Sequence, residues 1–184
     1  MHVEMLQGHD QHAKQRAMAS TTTSSCTIQM VRGAHRFKIH QFSYGNVGTD
    51  VNADGFIRSS TFRVGGFDWA ILYYPQGYSD DSEGFISIFV EFMSKYREAT
   101  ALVDLRLINQ VTGEPYSLCS FFGEDEVPFR FKPDSFDEAT WGKERCIRRE
   151  ALEDSRHVRD NCLVIECVIT VLGELRVSDR IYEK

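Results

Sequence analysis

The residues most able to do chemistry in this sequence are its carboxylates, histidines and cysteines. Two acidic clusters, at 80–83 and 124–126, occupy turn-rich segments. Paired carboxylates can perform acid–base chemistry or bind calcium, but in such loops acidic residues are usually solvated. His9 and His12 have the spacing of a metal-ligand pair, yet two ligands near a chain end rarely complete a metal site. These residues therefore predict no active site by themselves.

The five cysteines form an odd set in a chain long enough to fold without disulfides. This pattern predicts reduced thiols and a cytoplasmic or nuclear location. Cys162 and Cys167 are five residues apart, so on one strand they point to opposite faces and cannot share a metal. The sequence contains no serine-hydrolase elbow, zinc-protease motif, P-loop or C-x-x-C pair. We expect no catalytic residue, no metal and no cofactor.

Composition limits the partners that the protein can have. The chain has 184 residues, 42% of them hydrophobic, and a formal net charge of −6. This length predicts one domain, and the negative charge argues against binding nucleic acid. No segment has the apolar length of a signal peptide or of a membrane-spanning helix, so we expect no membrane partner. Residues 1–25 are polar and rich in Ser and Thr towards their end, which predicts a disordered tail.

The elements that must position any site are short strands. Apolar residues alternate with period two between turn signals, and only 141–155 has helical character, as one short segment near 148–154. This pattern predicts an all-β fold, a sandwich or a barrel. The predicted strands lie at 35–41, 59–64, 68–74, 85–92, 103–107, 115–122, 128–131 and 162–172.

Two aromatic residues are candidates for recognition. Phe89 falls on the opposite face of its strand from the more continuous apolar row of Ile86, Ile88 and Val90. It is either a surface aromatic in a groove or a core residue of a strand covered on both faces. Trp141 precedes a basic cluster and could contact a peptide or close the end of the sandwich.

Several segments then occur in a recognisable order. They are Gly33-Ala-His-Arg-Phe-Lys-Ile39, a segment running from Phe56 to Gly66, Trp69-Ala-Ile-Leu-Tyr-Tyr-Pro-Gln-Gly77, Trp141-Gly142 followed by Ile147-Arg-Arg149, and Asp160-Asn-Cys-Leu-Val-Ile-Glu-Cys167. Over about residues 29–174 this resembles the MATH domain (meprin and TRAF homology), most closely that of plant MATH–BTB proteins. The expected organisation is a tail at 1–25, a MATH domain at 26–174 and a linker or truncated end at 175–184.

The resemblance implies an antiparallel β-sandwich of about eight strands and no enzymatic activity. Members of the family that carry a BTB domain act as substrate receptors of cullin-RING ubiquitin ligases. Their MATH domain binds short, Ser/Thr-rich peptides in extended form, and the BTB domain recruits the cullin. The partners implied here are substrate proteins, with a cullin only if a longer form carries a BTB domain.

Carried over by position, the family's peptide groove maps to Phe89, Val103, Phe129, Trp141, Gly142 and Lys143. Lys143 and Glu144 replace an aromatic and a basic residue, which removes an apolar wall and reverses a charge. The sequence also ends without a BTB domain. The alternative is therefore a stand-alone MATH protein that is a structural or self-association module, or a substrate competitor, with a vestigial groove.

Overall fold

Strands of 2 to 19 residues form two antiparallel sheets in the computed structural model, which describes residues 23–42, 55–120 and 127–180. The strands are β1 (Thr23–His40), β2 (Ile57–Arg58), β3 (Phe62–Val64), β4 (Phe67–Tyr74), β5 (Phe85–Phe92), β6 (Ala99–Ile108), β7 (Pro115–Ser120), β8 (Phe129–Phe131), β9 (Thr140–Arg148), β10 (Val158–Arg159) and β11 (Cys162–Arg180). Two short helices, α1 (Phe136–Ala139) and α2 (Arg149–Glu153), flank β9.

The larger sheet has the order β1-β11-β6-β7, with β10 paired to β11 and β8 to β6. The smaller sheet has the order β2-β4-β5-β9, with β3 paired to β4. Two compact units divide the chain: Ile28–Leu175 is one, and the described residues of Met1–Thr27 and Arg176–Lys184 belong to the other. The core and the candidate site lie in the first unit.

Alternating residues of both sheets form the core. On β5 these are Ile86, Ile88, Val90 and Phe92, and on β6 they include Val103 and Leu105; all are buried. Burying each such side chain contributes about 1.5–3 kcal/mol. At the centre the fully buried Trp69 meets Phe92 and Phe131 edge-on, with ring centroids 5.0 Å away in both pairs.

Two hairpins have tight turns that fix the register of the strands. Gly65 and Gly66 join β3 to β4 with φ of 63° and 80°, and Asp160 and Asn161 join β10 to β11 with φ of 51° and 57°. Two successive positive φ angles are those of a type I′ turn, whose twist suits a two-residue hairpin.

Arg149, on α2, links three segments that are distant in sequence. Its guanidinium donates to the Pro75 carbonyl at 3.0 Å, to the Phe42 carbonyl at 2.9 Å and to Glu153 at 3.2 Å. The side chain is buried and lies 4.9 Å from the centre of the Phe42 ring. One residue of the Ile-Arg-Arg segment therefore holds the Pro-x-Gly segment in place.

The predicted β-sandwich is confirmed, and so is a short helix near 148–154. The helical character predicted from residue 141 is wrong for 141–148, which form β9. β1 begins at Thr23 and β11 continues to Arg180, beyond the strand limits predicted at 35 and 172. The rest of the predicted tail, residues 1–22, lies outside the described residues, as do the acidic cluster at 124–126 and the His9–His12 pair. Among the described residues no helix is long and apolar enough to cross a membrane.

Candidate peptide-binding site

Phe89 lies on the outer face of the smaller sheet. It is half-buried and packs in a small apolar cluster with Phe56, Leu72 and Tyr74, separate from the main core. Its ring centroid is 5.7 Å from that of Tyr74. Phe89 is thus neither a member of the main core nor a fully solvated aromatic; it forms part of a partly covered apolar surface.

Gly142 of β9 stands directly opposite Phe89 in the ladder. A Cβ at this position would lie 2.2 Å from the Ile88 carbonyl oxygen and 2.8 Å from Cδ1 of Phe89. Both distances are far inside van der Waals contact. Only glycine therefore allows β9 to approach β5 while the Phe89 ring lies across it.

Trp141 and Phe129 face the other way, towards the interior. In the ladders Trp141 stands opposite the core residue Val90, and Phe129 stands opposite Ala101. Both rings are half-buried and pack against the main core. β9 and β8 belong to different sheets, so the two rings lie on the inner faces of opposite sheets.

Lys143 joins the two sheets at their edges. It is exposed, and its Nζ donates to the Leu118 carbonyl of β7 at 3.3 Å. The lysine therefore links the edge strand of one sheet to the edge strand of the other. Beyond it β9 bulges, where the Ser87 hydroxyl donates to the Glu144 carbonyl and the Cys146 thiol donates to the Lys143 carbonyl at 3.2 Å.

Val103 lies in the core with no exposed surface, opposite Ile169. It cannot touch a ligand on the surface of this structure. The six residues predicted for the groove therefore divide into three places. Phe129 and Trp141 lie on inner faces of the two sheets and Lys143 joins the sheet edges, Phe89 and Gly142 lie on the outer face of the smaller sheet, and Val103 is internal.

β9 carries residues of two of these places, Trp141 and Lys143 in one and Gly142 in the other. In the ranges that the structure describes, it pairs with β5 alone, so its other edge carries backbone groups free of any strand ladder. An edge strand of this kind is a template for an added peptide strand. The arrangement can hold an extended peptide against β9, with side-chain contacts at Trp141 and at Phe89.

Additional aromatic residues extend this surface. Tyr78 and Phe136 are exposed and stack with ring centroids 5.9 Å apart and planes at 2°. Tyr78 also lies 5.2 Å from Phe89, centroid to centroid. Sequence reasoning missed both residues; the available signal was an aromatic residue placed next to acidic residues in each of two turns.

The described residues offer no catalytic grouping around this surface. No three His, Cys, Asp or Glu side chains among them are placed to hold a metal ion. Burial raises the pKa of the Cys146 thiol to about 11, against a weaker opposing effect of a hydrogen bond from the backbone of Ile88 and of the Lys143 charge. The thiol is therefore protonated at neutral pH and is a poor nucleophile.

Comparison with known proteins agrees with the fold. The sequence profile of the MATH domain matches residues 34–169. The chain is 33% identical over 154 residues to BTB/POZ and MATH domain-containing protein 3 of Arabidopsis thaliana, covering 82% of this chain and 36% of that protein. It is 32% identical over 156 residues to protein 5 of the same series, covering 83% and 37%.

The chain thus spans about a third of the length of these curated relatives. Among solved structures it is similar to TRAF5 of Notothenia coriiceps, with a TM-score of 0.50 at 17% identity, over 83% of this chain and 76% of the other. The chain belongs to the MATH domain family.

Proposed function

We propose that this MATH domain is a protein-interaction module that captures short, extended peptides of partner proteins along β9. The observation that supports the proposal best is the position of β9. One edge of this strand has no strand partner among the described residues, and half-buried aromatic rings lie on both of its sides, Trp141 on the inner face of the sheet and Phe89 on the outer face. A peptide paired with β9 would place alternate side chains against these two surfaces.

The names of the relatives combine MATH with BTB/POZ, and the resemblance to MATH–BTB proteins motivates a wider proposal. We propose that the module selects substrates for a cullin-based ubiquitin ligase in a form of the protein that carries a BTB domain. Without such a domain, the same surface would occupy a substrate without passing it on. A cytoplasmic or nuclear location suits either role, and neither role requires catalysis.

The test is selection from a library of random octapeptides displayed on phage, followed by affinity measurement with the enriched peptides. Truncating a desolvated aromatic anchor typically costs about 2 kcal/mol or more, which is about 30-fold in affinity. Trp141→Ala should weaken the enriched peptides by about this factor, and Phe89→Ala by at least about tenfold.

Tyr96→Ala is the matched control, because Tyr96 is 96% exposed and lines neither surface of β9. It should leave affinity unchanged. Circular dichroism of all three variants would verify folding. A selection that enriches no peptide, or enriched peptides that bind folded Trp141→Ala and Phe89→Ala like the unmodified protein, would refute the proposal.

A further inference from the structure

A cluster of five aromatic rings, Phe56, Tyr74, Tyr78, Phe89 and Phe136, forms a basin on the outer face of the smaller sheet. Tyr78 is its centre, because its ring contacts those of Tyr74, Phe89 and Phe136 at centroid distances of 5.3, 5.2 and 5.9 Å. Phe56 completes the cluster 5.4 Å from Tyr74. Tyr78 and Phe136 are each 40% exposed, so this aromatic basin offers ring faces to solvent.

The basin encloses a cavity of about 340 Å³ lined by four of these rings together with Arg58 and Glu91. A second cavity of about 400 Å³ adjoins it, since Glu91 and Phe136 line both. Together the two cavities offer room for a long side chain and the segment of peptide that carries it.

The wall of the basin already holds one cation. The Arg58 guanidinium lies 5.2 Å from the centre of the Phe56 ring and donates to both carboxylate oxygens of Glu91, at 2.8 and 3.1 Å. Aromatic faces attract cations through their negative π-surface, and a carboxylate at the same place adds a hydrogen-bonding partner. The chemistry of this wall therefore suits a guanidinium or an ammonium group.

The carboxylates that neighbour the two exposed rings in the sequence, together with Glu144, are called the rim of the basin here. Asp80 and Asp81 follow Tyr78 by two and three residues, and Asp137 follows Phe136 directly. Glu144 of β9 accepts a hydrogen bond from the Ser79 hydroxyl at 3.3 Å, which brings a fourth carboxylate beside Tyr78. Among the described residues none of these four carboxylates forms an ion pair, whereas Arg58 is already engaged by Glu91. The surface is thus complementary to a positively charged ligand.

We infer that the aromatic basin takes a lysine or arginine side chain of the extended peptide bound along β9. The inference rests on the proposed function and names the class of its ligand. The Ser79–Glu144 hydrogen bond ties the Tyr78 loop to β9, and Phe89 stands opposite Gly142, so the basin adjoins the strand that would carry the peptide. A cationic side chain there would stack on Tyr78 or Phe136 within reach of the rim. An acidic side chain there would be repelled by the carboxylates next to these rings, Glu144 among them.

The experiment uses the full chain and the same library of random octapeptides. Enriched sequences should carry Lys or Arg at one fixed position. In the peptide that binds most tightly, replacing that residue by Gln should weaken binding by about tenfold, the value of one desolvated cation–π contact. Replacing it by Glu adds a charge reversal and should weaken binding by about 100-fold. Tyr78→Ala should remove the preference between Lys and Gln.

A charge-only variant covers the case in which Tyr78→Ala disturbs the fold. Asp80→Asn, Asp81→Asn and Glu144→Gln together should weaken the Lys- or Arg-containing peptide by about threefold to tenfold and reduce its salt dependence. The matched control combines Glu114→Gln, Asp154→Asn and Glu174→Gln, which changes net charge equally at exposed residues outside both cavities. The control triple variant should change the logarithm of the affinity by no more than half as much as the rim triple variant does.

The two proposals fail in different ways. If no peptide is enriched, the proposed function is refuted and the inference falls with it. If peptides are enriched and depend on Trp141 and Phe89 but show no preference for Lys or Arg, or prefer Asp or Glu, the inference alone is refuted. Equal loss of affinity in the rim and control triple variants would also overturn it.

Discussion

Arg149 should be one of the most important side chains for the stability of this fold, although it lies in no ligand surface. Two of its hydrogen bonds end on the carbonyls of the buried residues Pro75 and Phe42. Replacing Arg149 by Met keeps most of the apolar stem but leaves both carbonyls without this donor. A hydrogen bond to a charged group contributes about 1.5–3 kcal/mol, and an unsatisfied buried acceptor costs about as much. Arg149→Met should therefore lower the free energy of unfolding by about 3–5 kcal/mol.

The neighbouring arginine is the matched control. Arg148 is exposed, and its guanidinium lies 4.8 Å from the centre of the Phe85 ring. An exposed cation–π contact is worth about 0.5–1 kcal/mol, so Arg148→Met should be nearly silent. Arg149→Lys keeps the charge but lacks the planar fork that reaches two carbonyls, and should lie between the two.

The assay is urea denaturation followed by tryptophan fluorescence, since Trp69 lies at the centre of the core. With a denaturant slope of about 2 kcal/mol per M, Arg149→Met should move the midpoint by about 2 M, and Arg148→Met by less than about 0.5 M. Equal shifts for both variants, or a shift below about 0.5 M for Arg149→Met, would refute the view that Arg149 links the Pro75 segment to α2.

Two further predictions concern the turn of a hairpin and a buried thiol. Gly65→Ala should destabilise the protein by about 2 kcal/mol or more, because the added Cβ would lie 2.6 Å from the Val171 Cβ at a φ of 63°. Gly66 has a φ of 80°, and a Cβ there would meet nothing within 4 Å, so Gly66→Ala should cost only about 1 kcal/mol of backbone strain. Equal losses of stability for the two variants in thermal melts would contradict the steric argument. Burial raises the pKa of Cys146 to about 11, so at pH 8 iodoacetamide should modify exposed Cys26 in the folded protein and Cys146 only after unfolding. Since the raised pKa favours the neutral thiol, the contribution of Cys146 to stability is present below about pH 9 and is lost as pH rises towards 11. Rapid labelling of Cys146 in the native protein, detected by mass spectrometry, would contradict this reasoning.

Strands with a clean alternation could be predicted from the sequence, and β9 could not. In β5 every second residue is apolar, so both its span and its inner face follow from the pattern. β9 lies at the edge of its sheet and contains Gly142, three consecutive exposed charged residues and a bulge. An edge strand needs only one side of its backbone paired and little apolar surface, so its local sequence carries no period of two.

The candidate site was predictable only where family resemblance and periodicity agree. The alternation of apolar and polar residues along this strand already predicts that Val103 shares a face with Leu105 and Leu107. This is the buried face in the structure. Position matching with relatives placed Val103 in a groove, and periodicity is here the better guide to exposure. The aromatic basin had no such signal, because its rings come from five segments that only tertiary packing brings together.

The segments that identify the family fix the fold and say little about the ligand. Gly77 has a φ of 91°, and a Cβ there would lie 2.3 Å from the Ser82 carbonyl oxygen. A Cβ at Gly142 would also clash with backbone, and the buried Arg149 donates to Pro75, Phe42 and Glu153. Tyr78 and Phe136, by contrast, are exposed and lie in the turns between these constrained positions. Substitution at the constrained positions would disturb packing inside the domain, whereas substitution at the exposed aromatic residues acts mainly on the surface. Two MATH domains can therefore keep every identifying segment and still bind peptides of opposite charge.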